Sequence, residues 1–284
     1  MTKLRLIPLS LLLLLVLGAC GEKEETVEIA ASPAAASLLA YVPADTPYLA
    51  ANLQPVPNAV IDAHFERAQP VLEELQNQAS RVKTQLAASN EPTGEPLERL
   101  MLAAINAFDG KMNRQGLESM GWDFQSSSVV YGEGAFPVMR ISSSDPQALA
   151  DSVKEILDDA EIDDTAREFQ GKPYWRIASA DADESPLALY VAVLGDHFAL
   201  GIYPIVAEES FLAAFLGIEM PADHFTAERL GQLNREHGYT PYGSGFVDMH
   251  RLADEFLDPE AATARVLVAV EEYDLQNFSD QCVA

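Results

Sequence analysis

The chain has 284 residues, of which 48% are hydrophobic, and a formal net charge of −26 at pH 7. This length is ample for one sizeable hydrophobic core or two smaller ones. The negative charge argues against nucleic acid and anionic lipid surfaces as partners, because both would be repelled. Proteome-wide acidity, as in a salt-loving or alkaline-habitat bacterium, is the simpler origin of the charge, and a specific cationic partner is the alternative.

The first 19 residues have the features of a secretory signal. Lys3 and Arg5 form a short basic start, and the segment 6–19 is apolar except for Ser10. A helix that spans a bilayer needs about 20 apolar residues, so this segment is too short for an ordinary transmembrane helix. We predict a signal peptide over 1–19, with a plain cleaved signal or a short uncleaved anchor as the alternatives.

The end of this segment, Leu17-Gly18-Ala19-Cys20, resembles the lipobox of bacterial lipoproteins, which is Leu, a small residue, Gly or Ala, and then Cys. The resemblance implies cleavage before Cys20 and attachment of lipid, palmitate included, to that residue. Acyl chains contribute about 0.8 kcal/mol per buried methylene, so three chains would anchor the protein durably. We therefore expect Cys20 as the lipid-attachment site, the membrane as a partner through that lipid, and a domain that faces the periplasm. Gly21, where an Asp would favour inner-membrane retention, favours the outer membrane.

The rest of the chain predicts an α+β fold. The segment 20–37 is rich in Ala, Glu and Ser and is typical of a flexible tether. Hairpins interleaved with amphipathic helices favour a largely antiparallel sheet of β-hairpins. Periodicity and turn residues predict, in chain order, a strand over 48–53, helices around 71–86 and 97–108, a hairpin over 126–142, a helix after Asp145-Pro146, hairpins over 167–178 and 187–205, helices over 208–216 and 226–237, a strand over 239–249, a short helix over 250–257 and a further strand over 264–275.

Two segments of the chain open with the same tripeptide, Thr46-Pro47-Tyr48 and Thr240-Pro241-Tyr242. Each tripeptide precedes an apolar strand that leads into a helix, which suggests a duplicated unit, although two unrelated turn–strand segments would look the same. On the first interpretation, 38–238 is an α+β domain and 239–284 is the start of a second unit that is cut short at the C-terminus. Cys282, left without a partner once Cys20 carries lipid, fits that interpretation.

No motif for a cofactor, a metal or catalysis stands out. The five histidines follow no zinc-ligand spacing, so we expect surface or turn histidines. A nucleophile elbow, a P-loop and a dinucleotide fingerprint are all missing from the sequence. We therefore assign no catalytic, cofactor-binding or metal-ligating residue. The histidines are His64, His197, His224, His237 and His250.

The segment 41–57, YVPADTPYLAANLQPVP, resembles the start of the folded part of a family of proteobacterial lipoproteins with a domain of unknown function. The resemblance implies a longer protein and brings no activity with it. We expect a lipid-anchored envelope protein, facing the periplasm, with a non-catalytic binding or structural role and a protein partner whose identity the sequence does not show. The alternative is a lipid-anchored periplasmic hydrolase with an unrecognised site. A solute-binding lipoprotein would show a doubly wound pattern rather than hairpins.

Overall fold

The computed structural model describes residues 31–88, 96–162, 166–178 and 187–269. Within these ranges, helices alternate with β-hairpins as the sequence predicts. The helices are α1 (Pro33–Leu39), α2 (Asn58–Ala88), α3 (Pro96–Phe108), α4 (Arg114–Glu118), α5 (Pro146–Asp159), α6 (Glu208–Phe215), α7 (Ala227–His237), α8 (Met249–Leu257) and α9 (Ala262–Ala269), with a 3-10 turn over Ile205–Ala207. The strands are β1 (Tyr48–Ala51), β2 (Ser128–Glu133), β3 (Phe136–Ser142), β4 (Arg167–Phe169), β5 (Lys172–Ala178), β6 (Leu187–Leu194), β7 (His197–Pro204) and β8 (Ser244–Val247).

The strands form one eight-stranded sheet in the order β4-β5-β6-β7-β3-β2-β1-β8. Every neighbouring pair is antiparallel. Three tight hairpins, β2–β3, β4–β5 and β6–β7, supply six of the eight strands. The fold is therefore α+β, and the prediction of a largely antiparallel sheet of hairpins is confirmed.

Strand β6 lies between two hydrophobic layers, which cover opposite faces of the sheet. Its residues Ala188, Tyr190 and Ala192 belong to the larger core, together with apolar residues of α1 and α6. Val191 and its neighbours of the same parity pack on the other face, against α3 and α5. Because both faces are covered, the strand is apolar at every position, as the sequence predicted.

Gly201 in β7 has no side chain, and this lets α6 approach the sheet closely. A Cβ atom on Gly201 would lie only 2.9 Å from Cζ of Phe211 and 3.3 Å from Cε2 of Phe215. The Phe211 ring stacks on Tyr203 with the two centroids 4.2 Å apart. Aromatic packing on Gly201 therefore sets the position of α6 and of its C-terminal carbonyl groups over the sheet.

Helix starts follow the capping residues that the sequence offers. Asp145 Oδ1 accepts the N–H of Ala148 at 3.0 Å, ahead of the proline that begins α5. Thr226 Oγ1 accepts the N–H of Arg229 at 3.2 Å and begins α7. Each cap satisfies a backbone donor that has no partner inside the helix.

The predicted tether, 20–37, overlaps with a helix. Ser32 caps α1 by accepting the N–H of Ala35 at 3.1 Å. Ala35, Leu38 and Leu39 are buried under the sheet. The boundary predicted at residue 38 is thus too late, because Pro33 begins a helix with three buried apolar residues. Residues 20–30 lie outside the described residues.

The prediction of a strand over 264–275 is wrong for the part that the structure describes, where α9 is a helix. Valines favour strands in isolation. Here a turn at Asp258, whose carbonyl accepts the N–H of Ala261 at 3.0 Å, leads into the helix, and Ala264 is buried where α9 packs on α8 and β7. Tertiary packing has overridden the local preference.

The 21 mostly apolar residues over 187–207 contain the β6–β7 hairpin, which turns at Gly195 with a positive φ of 61°. Among the described residues, no helix has the length and apolar character needed to cross a membrane. The signal peptide over 1–19, Cys20 and Cys282 lie outside the described residues.

Candidate functional site

Arg140 is completely buried in the larger core. Alternation along β3 places Arg140 on the same face as Val138, so its side chain enters the layer under α6. The guanidinium donates from Nη1 to His197 Nε2 at 3.0 Å, from Nε to Tyr131 Oη at 3.2 Å and from Nη2 to the Phe215 carbonyl at 2.8 Å. Its carbon lies 4.0 Å from the ring centroid of Tyr41.

Among the described residues, the direct contacts of this cation are with neutral hydrogen-bond acceptors and an aromatic ring, and no carboxylate forms an ion pair with it. The Phe215 carbonyl lies at the C-terminus of α6, the negative end of the helix dipole. The Tyr41 ring adds the attraction of its negative face. An unpaired charge at this depth would be expensive, and these contacts offset the loss of hydration. Arg140 therefore joins β3, β7 and the end of α6.

His197 continues the network to the surface. Its Nε2 accepts from Arg140, so the hydrogen-bond network assigns the proton to Nδ1, which donates to Asp196 Oδ1 at 2.9 Å. Burial lowers the pKa of His197, and the hydrogen bond to Asp196 opposes that shift. The imidazole is neutral at pH 7 and has both nitrogens occupied. His64, His224, His237 and His250 are exposed, as the prediction of surface or turn histidines requires. His197 follows the Gly195-Asp196 turn as the first residue of β7, but it is buried, so the surface interpretation is wrong for it.

Three carboxylates, those of Glu133, Asp45 and Glu255, interact near the C-terminal end of β2. Burial raises the pKa of Glu133 to about 7, with Asp45 and Glu255 adding to the shift and Arg140 opposing it. The Glu255 carboxylate packs against the backbone of Gly134, where a Cβ would lie 2.6 Å from Oε2. Burial also raises the pKa of Glu255 itself. A carboxyl group with a pKa near 7 can give or take a proton at neutral pH.

Metal binding finds no support at this group of acids. In the part of the chain that the structure describes, no three His, Cys, Asp or Glu side chains are arranged to hold a metal ion. The phenol of nearby Tyr203, whose pKa burial raises to about 12, remains protonated and is a poor nucleophile at neutral pH. The chemistry available at Glu133 is therefore proton transfer.

An open groove runs between α7 and the start of α8, over the edge of β8. Its volume is about 520 Å³, and its apolar floor consists of Phe225, Leu233 and Phe246. Arg229 and Arg251 stand on its rim, and each donates to the carbonyl of Ala44, at 3.1 and 3.2 Å. The groove is shallow and open to solvent, a shape that suits an extended chain better than an enclosed small molecule.

A second open groove, of about 620 Å³, lies between α2 and α4. Leu72 lines this groove, so part of the apolar stripe predicted for α2 faces the groove instead of the core, and Val71 is 55% exposed. Arg114 crosses the groove to bond Asp62 at 2.6 Å and Glu118 at 2.8 Å. The ion pair to Asp62, with a hydrogen bond to Asn58 Oδ1 at 2.6 Å, attaches α4 to α2, whereas the pair to Glu118 lies within α4.

Sequence reasoning missed Arg140, His197 and Glu133. For Arg140 a signal was present, since the alternation of Val138, Arg140 and their neighbours already places the arginine on an apolar face. For His197 and Glu133 the sequence offers no such signal, because the neighbours of both come from distant parts of the chain: Tyr41 and Arg140 for His197, and Asp45 and Glu255 for Glu133. The predicted lipid-attachment site, Cys20, lies outside the described residues.

We compared the chain with family models, with curated proteins and with solved structures, and none of the three comparisons finds a match.

Proposed function

We propose that the protein is a lipid-anchored envelope protein, facing the periplasm and favouring the outer membrane, with a non-catalytic binding or structural role. The observation that carries this proposal is the sequence Leu17-Gly18-Ala19-Cys20 at the end of an apolar segment with a basic start. Cys20 would carry the lipid, and the α+β domain would stand off the membrane on the residues between Cys20 and α1.

Two structural features support the non-catalytic role. The most deeply buried polar groups, Arg140 and His197, have their nitrogens committed to structural hydrogen bonds. The two grooves described above are open and shallow rather than enclosed. Binding of an extended or flat partner fits these surfaces, whereas small-molecule catalysis uses deep pockets with convergent polar groups.

The test of the anchor is lipid labelling of the protein expressed in a Gram-negative host. Radiolabelled palmitate should enter the wild-type protein, and the label should disappear in Cys20→Ser. The matched control is Cys282→Ser, which removes the other thiol and should leave labelling unchanged. Density-gradient separation of the two membranes should place the labelled protein in the outer-membrane fraction. Equal labelling of wild type and Cys20→Ser would refute the anchor.

The alternative, a lipid-anchored hydrolase, has one observation in its favour, the half-buried Glu133, whose pKa desolvation raises to about 7. A general acid or base with such a pKa suits hydrolysis at neutral pH. The test is a panel of chromogenic esters and glycosides with the wild type and Glu133→Gln. Hydrolysis that the substitution abolishes would favour the enzyme, and hydrolysis that is zero or equal in both would favour the binding role.

A further inference from the structure

The apolar residues of α2 follow the heptad pattern of a coiled coil, because they recur at alternating intervals of four and three residues along the whole helix. A helix that packs on a globular core shows a period of 3.6 residues and a wider apolar face. A sustained period of 3.5 indicates instead a partner that is itself a long helix. The positions of this seam are Ile61, Phe65, Ala68, Leu72, Leu75, Ala79, Val82 and Leu86.

The described part of the chain supplies no such partner for α2. The helix has 31 residues and is therefore about 46 Å long. At its N-terminal end Ile61 is buried, and the Phe65 ring packs on Phe124 with the centroids 5.0 Å apart. None of the described helices and strands makes extensive contact with the rest of α2. Helix α3, the next along the chain, packs on α5 instead and leaves Met101 55% exposed.

Charge is divided unevenly between the two halves of α2. The N-terminal half, 58–74, has four acids and one base, whereas the C-terminal half, 75–88, has two bases, Arg81 and Lys83, and no acid. Two α2 helices that run antiparallel place the basic half of each on the acidic half of the other. A parallel pair would place acid beside acid and base beside base, so the charges favour the antiparallel arrangement.

The residues that flank the seam agree with this orientation. Most of them are uncharged, and in an antiparallel pair centred between Leu72 and Leu75 the two charged ones, Asp62 and Lys83, meet across the interface. The pair occurs twice because of the two-fold symmetry. The flanking residues are Asp62, His64, Gln69, Val71, Gln76, Gln78, Lys83 and Gln85.

Two further features of α2 suit a helical partner. Val71, which flanks the seam, is 55% exposed and would be covered by a second helix. Pro70 lies inside the helix and lacks the N–H of an ordinary helical residue, but it is exposed on the face opposite the seam. Water can reach the backbone there, so the proline leaves the interface undisturbed. The open groove beside Phe65 and Leu72 leaves room for the incoming helix.

We propose that two copies of this protein associate through an antiparallel coiled coil of their α2 helices, with Leu72 of one copy opposite Leu75 of the other. Ala68 then lies opposite Ala79, and Phe65 lies opposite Val82. The inference goes beyond the proposed binding role, and it does not depend on the anchor at Cys20.

The partner is a second copy rather than another protein, because α2 contains both the seam and the charges that complement it. The chain's net charge of −26 does not oppose this contact, since α2 itself has four acids and three bases. Charges elsewhere on the two surfaces are screened beyond about 8 Å at physiological ionic strength.

The first test is sedimentation equilibrium of the full-length chain in density-matched detergent. The chain carries Cys20→Ser, so that association is read independently of the anchor. We expect a reversible dimer. Leu75→Asp places a charge in the middle of the seam and should weaken the dimer about a hundredfold or more. The matched control, Asn77→Asp, adds the same charge two residues away on the exposed outer face and should leave the association within about twofold of the parent.

The second test is disulfide cross-linking, which reads the orientation of the helices and stands even if Leu75→Asp does not fold. Ala68→Cys and Ala79→Cys are prepared separately, each with Cys20→Ser and Cys282→Ser, and are oxidised by copper phenanthroline and oxygen. An equal mixture of the two should form a covalent dimer. Neither should do so alone, because the two copies of residue 68 would lie about 16 Å apart along the coil.

The third test concerns the charges. Lys83→Glu brings an acid beside Asp62 at both ends of the dimer and should weaken association about tenfold. Lys83→Arg keeps the positive charge and should associate as the parent does. Circular dichroism checks that each variant is folded.

Three outcomes would overturn the proposal: a folded parent that is still monomeric at about 100 μM, a dimer that folded Leu75→Asp leaves unchanged, or cross-linking by Ala68→Cys alone as efficient as that of the mixture. A monomeric parent whose thermal midpoint falls in Leu75→Asp but not in Asn77→Asp would show that the chain covers its own seam, which equally contradicts the dimer. None of these results bears on palmitate labelling, so the anchor and the dimer stand or fall separately.

Discussion

Arg140 Nη1 lies 3.0 Å from Nε2 of His197, and the two side chains are 0% and 1% exposed. A neutral imidazole thus accepts a hydrogen bond from a buried cation whose charge is balanced by the C-terminus of α6 and the ring of Tyr41. The pair joins β3 to β7 beneath α6. Removing either side chain of the pair should therefore lower the free energy of unfolding of the domain.

Replacing Arg140 with alanine should lower the free energy of unfolding by about 3–5 kcal/mol. The substitution leaves a cavity in the core, and it leaves His197 Nε2 and the Phe215 carbonyl without their donor. Urea denaturation followed by circular dichroism measures the change. The control is Lys154→Ala at an exposed ion pair, which should leave the midpoint almost unchanged. A loss below about 1 kcal/mol for Arg140→Ala would show that the network contributes little.

His197 should make the protein less stable in mild acid. Burial lowers the pKa of His197 in the folded state below its unfolded value of 6.5. The neutral form is therefore favoured by folding, and its contribution is complete above pH 6.5 and is lost as the pH falls towards the folded pKa. The stability difference between wild type and His197→Gln should shrink between pH 7.5 and pH 5. The exposed His64→Gln is the control, and a difference that grows on acidification would contradict the assignment.

Glu133 should have the opposite effect on stability from His197, because it should make the protein less stable as the pH rises. Its pKa rises from 4.5 unfolded to about 7 folded, so the folded state prefers the protonated acid and loses stability as the pH rises from 4.5 through 7. Glu133→Gln removes this penalty and should stabilise the protein by about 1–3 kcal/mol at pH 8, with no gain at pH 4. Urea midpoints at the two pH values measure the effect. Exposed Glu168→Gln should show no such difference, and equal effects of the two variants at pH 8 would contradict the raised pKa of Glu133.

Gly245 should be required for the pairing of β8 with β1. A Cβ on Gly245 would collide with the carbonyl oxygen of Leu49 and would lie 2.9 Å from the Cα of Ala50. Gly245→Ala should cost about 1–3 kcal/mol, because the strands must separate to admit the methyl group. Gly243→Ala is the matched control two residues away, where the added methyl meets nothing within 4 Å. Equal thermal midpoints for the two variants would refute the close approach.

Much of the local structure is readable from the sequence. The Gly195-Asp196 turn, the Asp145-Pro146 and Thr226 caps and the alternation in β2, β3 and β7 predict the elements that the structure contains. These signals act within a few residues, through turn geometry and capping hydrogen bonds. The Cys20 anchor is also a sequence prediction, and it remains a prediction, since Cys20 lies outside the described residues.

The errors and omissions have a common cause in long-range packing. Helix α9 forms because Ala264 packs on α8 and β7, although its valines favour a strand. Helix α1 extends the fold into the predicted tether, because it begins at Pro33 and Ala35 is buried. No local pattern contains this information, because the partners come from distant parts of the chain.

The sequence by itself determined the order of most strands and helices between residues 48 and 257 and the antiparallel class of the sheet, because both depend on periodicity and turn residues along the chain. Only the tertiary structure decided that Arg140 and His197 meet under α6, that Glu133 lies half-buried near Glu255, and that β1 and β8 lie side by side in the sheet. Burial and strand order depend on which distant surfaces pack, and that packing exists only in the folded chain.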